Sequence, residues 1–119
     1  MTDRDINIIQ EPYILPDETS LEVQNVMKEN VDKLVSVFKV LSDPVRIRIL
    51  KALQITELCV CVLVETTDYK HSALSYHLKL LKDADLVDSR RDKNFQIYYL
   101  TETGDKLLRS IDSSFKKGI

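Results

Sequence analysis

Apolar positions along the chain keep helical spacing in several stretches and give way to short β-rich runs in one. From Ser20 onward, Val23, Val26, Met27, Val31, Leu34, Phe38 and Leu41 recur with a helical period, which predicts one long helix broken near Asn30. Ser42-Asp43-Pro44 is a stop and restart. Asp43 can cap the next helix, and Pro44 suits its first position because the missing N–H would be unpaired there. That helix buries Ile49, Leu50 and Leu53 and turns Arg46, Arg48 and Lys51 to solvent. Thr56 stands as the cap of a short helix from Glu57 to Thr66. Leu74, Leu78 and Leu81, at i, i+4 and i+7, predict an amphipathic helix over Lys70–Lys82, roughly 20 Å long at 1.5 Å per residue. Ala84-Asp85-Leu86-Val87 and Phe95-Gln96-Ile97-Tyr98-Tyr99-Leu100 then read as the strands of a hairpin around a charged turn over 88–94. Thr101 opens a last helix whose apolar stripe is Leu107, Leu108, Ile111 and Phe115.

The polar side of the Lys70–Lys82 helix carries Ser72, Ser75, Tyr76 and Lys79, with Lys70 and His71 at its start. Hydroxyls, an aromatic ring and lysines have little apolar surface to bury and suit the edges of a nucleic-acid groove, which admits one helix. A solvated surface helix is the plain alternative. The hairpin after it places Arg90, Arg91 and Lys93 at its tip, and a polar-faced helix followed by a basic-tipped hairpin is the layout of a winged helix-turn-helix. Four stretches sharpen the match: Leu41-Ser42-Asp43-Pro44-Val45-Arg46-Ile47-Arg48-Ile49-Leu50, Glu57-Leu58-Cys59-Val60-Cys61, Leu74-Ser75-Tyr76-His77-Leu78-Lys79-Leu80-Leu81, and Arg90-Arg91 with Tyr98-Tyr99-Leu100. In this order they resemble the ArsR/SmtB family of metal-responsive repressors, over roughly residues 34 to 108. The resemblance implies a mainly α (α+β) fold: a winged helix-turn-helix with a two-stranded hairpin wing, dimerising through its N- and C-terminal helices.

Charge and size are compatible with that fold. At 119 residues the chain is one small domain that a second copy would help to bury a core. The formal net charge of −2 hides an uneven distribution. Residues 1–33 hold eight acidic and three basic groups, whereas residues 70–100 hold four and six, so positive charge gathers where helix and hairpin would meet phosphates. Residues 1–19 have no period, two prolines and several acids, and read as a flexible arm. The resemblance implies that residues 20–119 are the winged helix-turn-helix DNA-binding and dimerisation domain. Val23, Val26 and Met27, with Leu107, Leu108, Ile111 and Phe115, are the candidate dimer surface, since so small a monomer cannot cover both stripes. The expected partners are a homodimer copy and a two-fold symmetric double-stranded operator. No apolar run reaches the ~18 residues of a membrane span, and two cysteines one residue apart are no disulfide framework. Both features point to the reducing cytoplasm.

Cys59 and Cys61 carry the remaining chemistry. Thiolates are soft ligands, and the resemblance implies that this pair senses arsenite, cadmium, lead or zinc, with no cofactor required for folding. Residues two apart on a regular helix diverge by about 200°, so one ion could hold both sulfurs only if that turn unwound. The family's arsenic-sensing version has a third cysteine where this chain has Val64, and the cysteines that other members carry on the N-terminal arm are absent. A third donor would be His71, Glu57, Asp68 or an external thiol. The alternatives are that both cysteines are small core residues, or that they form a redox switch. The family's other metal site, on the last helix, uses histidine and carboxylates. Only Asp105 and Asp112 stand there, so that site is expected to be missing. Where the family has a Leu-Gly-Leu-type turn, this chain has Thr67-Asp68-Tyr69, with Asp68 expected in the left-handed region and Tyr69 filling the apolar slot. His77 faces the inner side of its helix, with no assigned role. An enzyme built on a Cys–His pair would also need a positioned base and an oxyanion site, and no such motif is present.

Overall fold

The computed structural model describes residues 12–115, so most of the expected N-terminal arm lies outside the described residues. These residues form α1 (Asp17–Met27), α2 (Asp32–Leu41), α3 (Pro44–Ile55), α4 (Val60–Thr66), α5 (His71–Asp83), β1 (Val87–Asp92), β2 (Phe95–Leu100) and α6 (Glu102–Phe115). They divide into two compact units between Val31 and Asp32. The first holds α1, which starts three residues before the expected Ser20, with Asp17 and Glu18 complementing its N-terminal dipole. It has no buried residue, and Val23, Val26 and Met27 are exposed at 48%, 62% and 79%. The expected break near Asn30 is present: α1 ends at Met27 and α2 begins at Asp32.

In the second unit, Asp43 caps α3 by accepting from the Val45 and Arg46 N–H groups at 2.8 and 3.2 Å, with Pro44 inside the first turn as expected. The core is apolar throughout. Ile49, Leu50 and Leu53 of α3, Leu63 of α4, and Leu74, Leu78 and Leu81 of α5 meet Leu86, Val87 and Leu108. Each fully buried leucine contributes about 1.5–3 kcal/mol relative to exposure, so the leucine stripe of α5 fixes which side of that helix faces outward. Leu108 belongs to this core at 1% exposure, which removes it from the candidate dimer surface. Leu107 and Ile111 are half-buried, and Phe115 is exposed.

Beyond α1, the start of α4 and both ends of the first strand differ from the expectation, the strand running Val87–Asp92 in place of residues 84–87. Residues 57–59 are not helical: the N–H and carbonyl of Leu58 are both taken by Tyr98, which draws this segment into a short antiparallel bridge. Thr56 therefore ends α3, its N–H reaching the Ala52 carbonyl at 3.3 Å, and Cys59 is the cap residue of α4. The hairpin turn is also shorter than 88–94. β1 and β2 pair from Val87↔Leu100 to Asp92↔Phe95, leaving Lys93 and Asn94 as the whole loop. Lys93 takes φ 58°, the sign that mirror-image hairpin turns need at their first position. β1 is polar because most of it is exposed, which is why its sequence reads as a turn.

Candidate nucleic-acid interface and its cysteine pair

The outward side of α5 presents His71, Ser72, Tyr76 and Lys79, with Lys70 just before the first turn, all exposed. Ser75 is half-buried, its hydroxyl 3.3 Å from His71 Nδ1. Lys79 donates to Asp83 at 2.9 Å, a surface pair with little hold on either side chain. Lys82 reaches Ser89 Oγ at 2.9 Å, and Gln96 donates to the same oxygen at 2.8 Å, so α5 and both strands share one hydroxyl. The wing is thereby oriented against the helix.

Only Lys93 of the three expected wing cations stands at the tip. Arg90 and Arg91 lie within β1, opposite Ile97 and Gln96. Arg91 is exposed. Arg90 turns back to Glu57, with Nη2 donating to Oε1 at 2.6 Å, and its guanidinium lies 5.7 Å from the Tyr99 ring centroid. The Arg90 hydrogen bond, then its charge, holds the Glu57 carboxyl below its ordinary range, and the same bond raises Arg90. Arg90 thus fastens the wing to the segment entering α4.

Cys59 and Cys61 are joined as a disulfide, Cα to Cα 5.4 Å. Cys59 stands outside α4 in an extended conformation and Cys61 inside its first turn. Their sulfurs therefore meet with α4 intact, so the expected unwinding of a helical turn is not required. The pair borders a cavity of ≈ 250 Å³ with His71 and Ser75 of α5 and Phe95 and Tyr98 of β2. A second cavity links Cys61, Glu65 and His71. Of the three side chains expected as a third donor, His71 alone lines the cysteine cavity. Glu57 is held by Arg90, and Asp68 borders a different cavity with Arg48 and Tyr69. Reduced to thiols, the pair has the donor chemistry for a soft ion. No three His, Cys, Asp or Glu side chains among the described residues are gathered closely enough to hold one.

Polar contacts made by α3 and by the turn before α5 were not visible in the apolar spacing. Arg46, expected in solvent, is only 13% exposed. Its Nε donates to the Val40 carbonyl at 2.6 Å, Nη1 to His77 Nδ1 at 3.1 Å, and Nη2 lies 3.8 Å from Asp43. A guanidinium only donates, so in this contact His77 Nδ1 is the accepting atom. At Asp43 burial is the largest single influence and raises the carboxyl. The Arg46 and Val45 N–H groups, with the charge of Arg46, outweigh it, and the net direction is down. Arg48 donates to the Tyr69 hydroxyl at 2.9 Å, and Lys51 to Asp112 at 3.3 Å, so neither is simply solvated. In the turn before α5, Asp68 does not adopt positive φ. The Thr67 hydroxyl instead donates to the Leu63 carbonyl at 2.6 Å and accepts from the Tyr69 N–H at 3.2 Å. Tyr69 packs on the core, as expected.

On α6, Asp105 accepts from Arg109 at 2.9 Å, and Asp112 accepts from Lys51 and Gln54. Hydrogen bonds from Gln54, then Lys51, hold the Asp112 carboxyl low.

Comparison with known proteins follows the same segments. The family model "Bacterial regulatory protein, arsR family" matches residues 43–89, from the cap of α3 into β1. An arsenical resistance operon repressor of Staphylococcus xylosus is 43% identical over 57% of this chain and 65% of its own length. The chain thus spans just under two thirds of that relative. A cadmium resistance regulatory protein CadC homolog of Staphylococcus aureus is 31% identical over 81% of this chain and 80% of its own. Among solved structures, a homodimeric winged helix-turn-helix DNA-binding domain from Mycobacterium bovis superposes with a TM-score of 0.68. It covers 91% of this chain and 94% of that domain at 22% identity, a likeness of fold.

Proposed function

This chain belongs to the arsR family of bacterial regulatory proteins, and on that premise we propose that it is a homodimeric, DNA-binding repressor released by a thiophilic metal or metalloid ion at Cys59 and Cys61. α5 reads base edges through Ser72, Ser75 and Tyr76, with His71 at its start. Lys70, Lys79, Arg91 and Lys93 meet phosphates on either side. Two copies, joined through the exposed faces of α1 and α6, set the paired helices about 34–36 Å apart on a two-fold symmetric operator. The cytoplasm keeps the thiols available to the ion. Relatives named for arsenical and cadmium resistance support arsenite and cadmium as inducers, with zinc and lead of the same soft class.

One observation carries this reading. The cysteine pair shares a cavity with the first turn of the reading helix and with the second strand of the wing, and the residue before Cys59 is hydrogen-bonded to that strand. Drawing both thiolates onto one ion, with His71 as the third donor, shifts the start of α4, the start of α5 and the root of the wing together. Two sites linked through such shared elements couple by about 1–3 kcal/mol, a 5- to 150-fold change in DNA affinity. The test uses a duplex selected for tight binding from a random pool. Cadmium should weaken binding of the reduced protein, and replacing Cys59 and Cys61 with Ser should leave apo binding intact while abolishing that response and the thiolate-to-cadmium absorbance. If the doubly substituted protein still releases DNA on cadmium, the cysteines are packing residues and the inducer acts elsewhere.

A further inference from the structure

We propose that oxidation of Cys59 and Cys61 to their intramolecular disulfide locks the regulator on DNA and makes it deaf to the inducing ion. This rests on the ion reading above and assigns that site a second state. The two residues are bonded in the structure, and their Cα separation of 5.4 Å lies inside the range of about 4.4–6.8 Å that disulfides span. With the bond in place, every part of the reading head is assembled. α5 runs unbroken from His71 to Asp83 with Leu74, Leu78 and Leu81 buried, the wing keeps its full register, and Leu58 remains paired with Tyr98. The disulfide therefore demands nothing of the surface offered to DNA. It does consume both thiolates, and a disulfide sulfur is no substitute for a thiolate on a soft cation.

The oxidant is a hydroperoxide. Cys61 is exposed and Cys59 half-buried, so the Cys61 thiolate is the one an oxidant reaches first. It attacks the peroxide O–O bond, taking one oxygen as a sulfenic acid while the other leaves as alcohol or, from hydrogen peroxide, water. Cys59 sulfur then displaces the sulfenic hydroxyl, which leaves as water with the Cys59 proton. Two thiols have lost two protons and two electrons, and the peroxide has gained them. A dithiol reductant reverses the bond by exchange.

The full chain is treated with hydrogen peroxide, and thiol titration with non-reducing electrophoresis establishes that both thiols are lost within one chain. DNA affinity of the oxidised and reduced forms is then followed by fluorescence anisotropy on the selected duplex, with and without cadmium. The oxidised protein should hold DNA within about twofold of the reduced apo protein, show no thiolate-to-cadmium absorbance, and stay bound when cadmium is added. Reductant should restore the response. Loss of about tenfold or more in affinity on oxidation, cadmium release from the oxidised form, or a bond formed between two chains overturns the lock alone. A reduced protein that ignores cadmium overturns the ion reading, and the lock falls with it. The Cys59→Ser, Cys61→Ser protein should be indifferent to peroxide, and a peroxide effect that persists in it also overturns the proposal.

Discussion

Leu58 and Tyr98 exchange both backbone hydrogen bonds, the Leu58 N–H reaching the Tyr98 carbonyl at 3.1 Å and the Tyr98 N–H returning to Leu58 at 2.7 Å. This bridge lies outside the hairpin ladder, and it fastens the residue before Cys59 to the middle of β2. Movement of Cys59 toward an ion must either carry Tyr98 with it or break the bridge. Both outcomes reach the wing.

Hydrogen exchange tests that link. The Leu58 and Tyr98 amides should be protected together in the apo protein, because opening the bridge frees both at once. Cadmium should change their exchange by a common factor while Val87 and Leu100, at the core end of the hairpin, keep theirs. Unchanged rates at Leu58 and Tyr98 with cadmium bound would cut the proposed path.

Gly104 gives a prediction whose sign opposes helix propensity. It lies in the first turn of α6, where its N–H donates to Thr101 Oγ1 at 3.0 Å, and a Cβ built on it would overlap the Leu86 carbonyl. That carbonyl also accepts from the Thr101 N–H at 3.1 Å, so it cannot withdraw freely. Ala is favoured over Gly in a helix by about 1 kcal/mol, yet Gly104→Ala should destabilise by about 1–3 kcal/mol because backbone must move to admit the methyl. Urea unfolding measures it, and a raised midpoint would show that α6 and Leu86 are free to part.

The fold was legible wherever apolar spacing decided it. Leu74, Leu78 and Leu81, and the Asp43-Pro44 start of α3, behave as their pattern predicts because burial and capping act locally. Glu57 to Cys59 misled because a helix-compatible run was captured by strand β2, forty residues away, through backbone groups that carry no residue signature. Arg90 read as a tip cation because charge on a polar strand resembles charge in a turn. Its pairing with Glu57 exists only once the wing folds back. The exposed side of α5 was readable from its residues. Which cations are free and which brace the fold was not, since that depends on partners distant in sequence.

Three exposed or half-exposed carboxyls, Asp43, Glu57 and Asp112, are held below their ordinary ranges by hydrogen bonds and cationic neighbours, against an opposing effect of burial. A carboxyl depressed in the folded state binds protons more weakly there than in the unfolded chain. Its stabilisation is therefore complete above its unfolded pKa of about 3.9 for Asp or 4.3 for Glu, and it fades as pH falls through the folded value. Stability should be flat from about pH 7 to pH 5.5 as far as these groups act, then drop toward pH 3. Glu57→Gln should make the drop shallower. A curve unchanged by that substitution would mean that solvent screens the Arg90 pair completely.

Arg46 is the cation whose loss should be felt in the fold itself. Its guanidinium satisfies the Val40 carbonyl, meets Asp43 and donates to His77 on α5, so Arg46→Ala leaves a carbonyl and a ring nitrogen without their donor. Hydrogen bonds from a charged donor are worth about 1.5–3 kcal/mol each, and a loss of about 2–3 kcal/mol is expected once water re-enters the site. Arg46→Lys should recover only part, since an ammonium cannot reproduce the fork. Arg48→Ala removes one exposed bond to Tyr69 and should cost about 1 kcal/mol or less. Equal midpoints for Arg46→Ala and Arg48→Ala in denaturant would remove Arg46 from any bracing role.

Salt dependence separates the wing cations by what already neutralises them. A protein that covers Z phosphates of duplex DNA loses affinity with a slope of about −0.9Z in log salt. Arg91 and Lys93 are exposed, so Arg91→Ala and Lys93→Ala should each flatten the slope by about one and weaken selected and random duplexes alike. Arg90 is bonded to Glu57 at 2.6 Å, so Arg90→Ala should change the slope much less, and Glu57→Ala should steepen it by up to about one as Arg90 becomes available. Tyr76→Ala should leave the slope alone and narrow the gap between selected and random DNA, because the proposed role of this exposed ring is to read base edges, which neutralises no charge. Anisotropy titrations from low to moderate salt measure all of these slopes. If Arg90→Ala flattens the slope as much as Arg91→Ala does, Arg90 leaves Glu57 for phosphate in the complex, and the wing swings away from the cysteine segment when DNA binds.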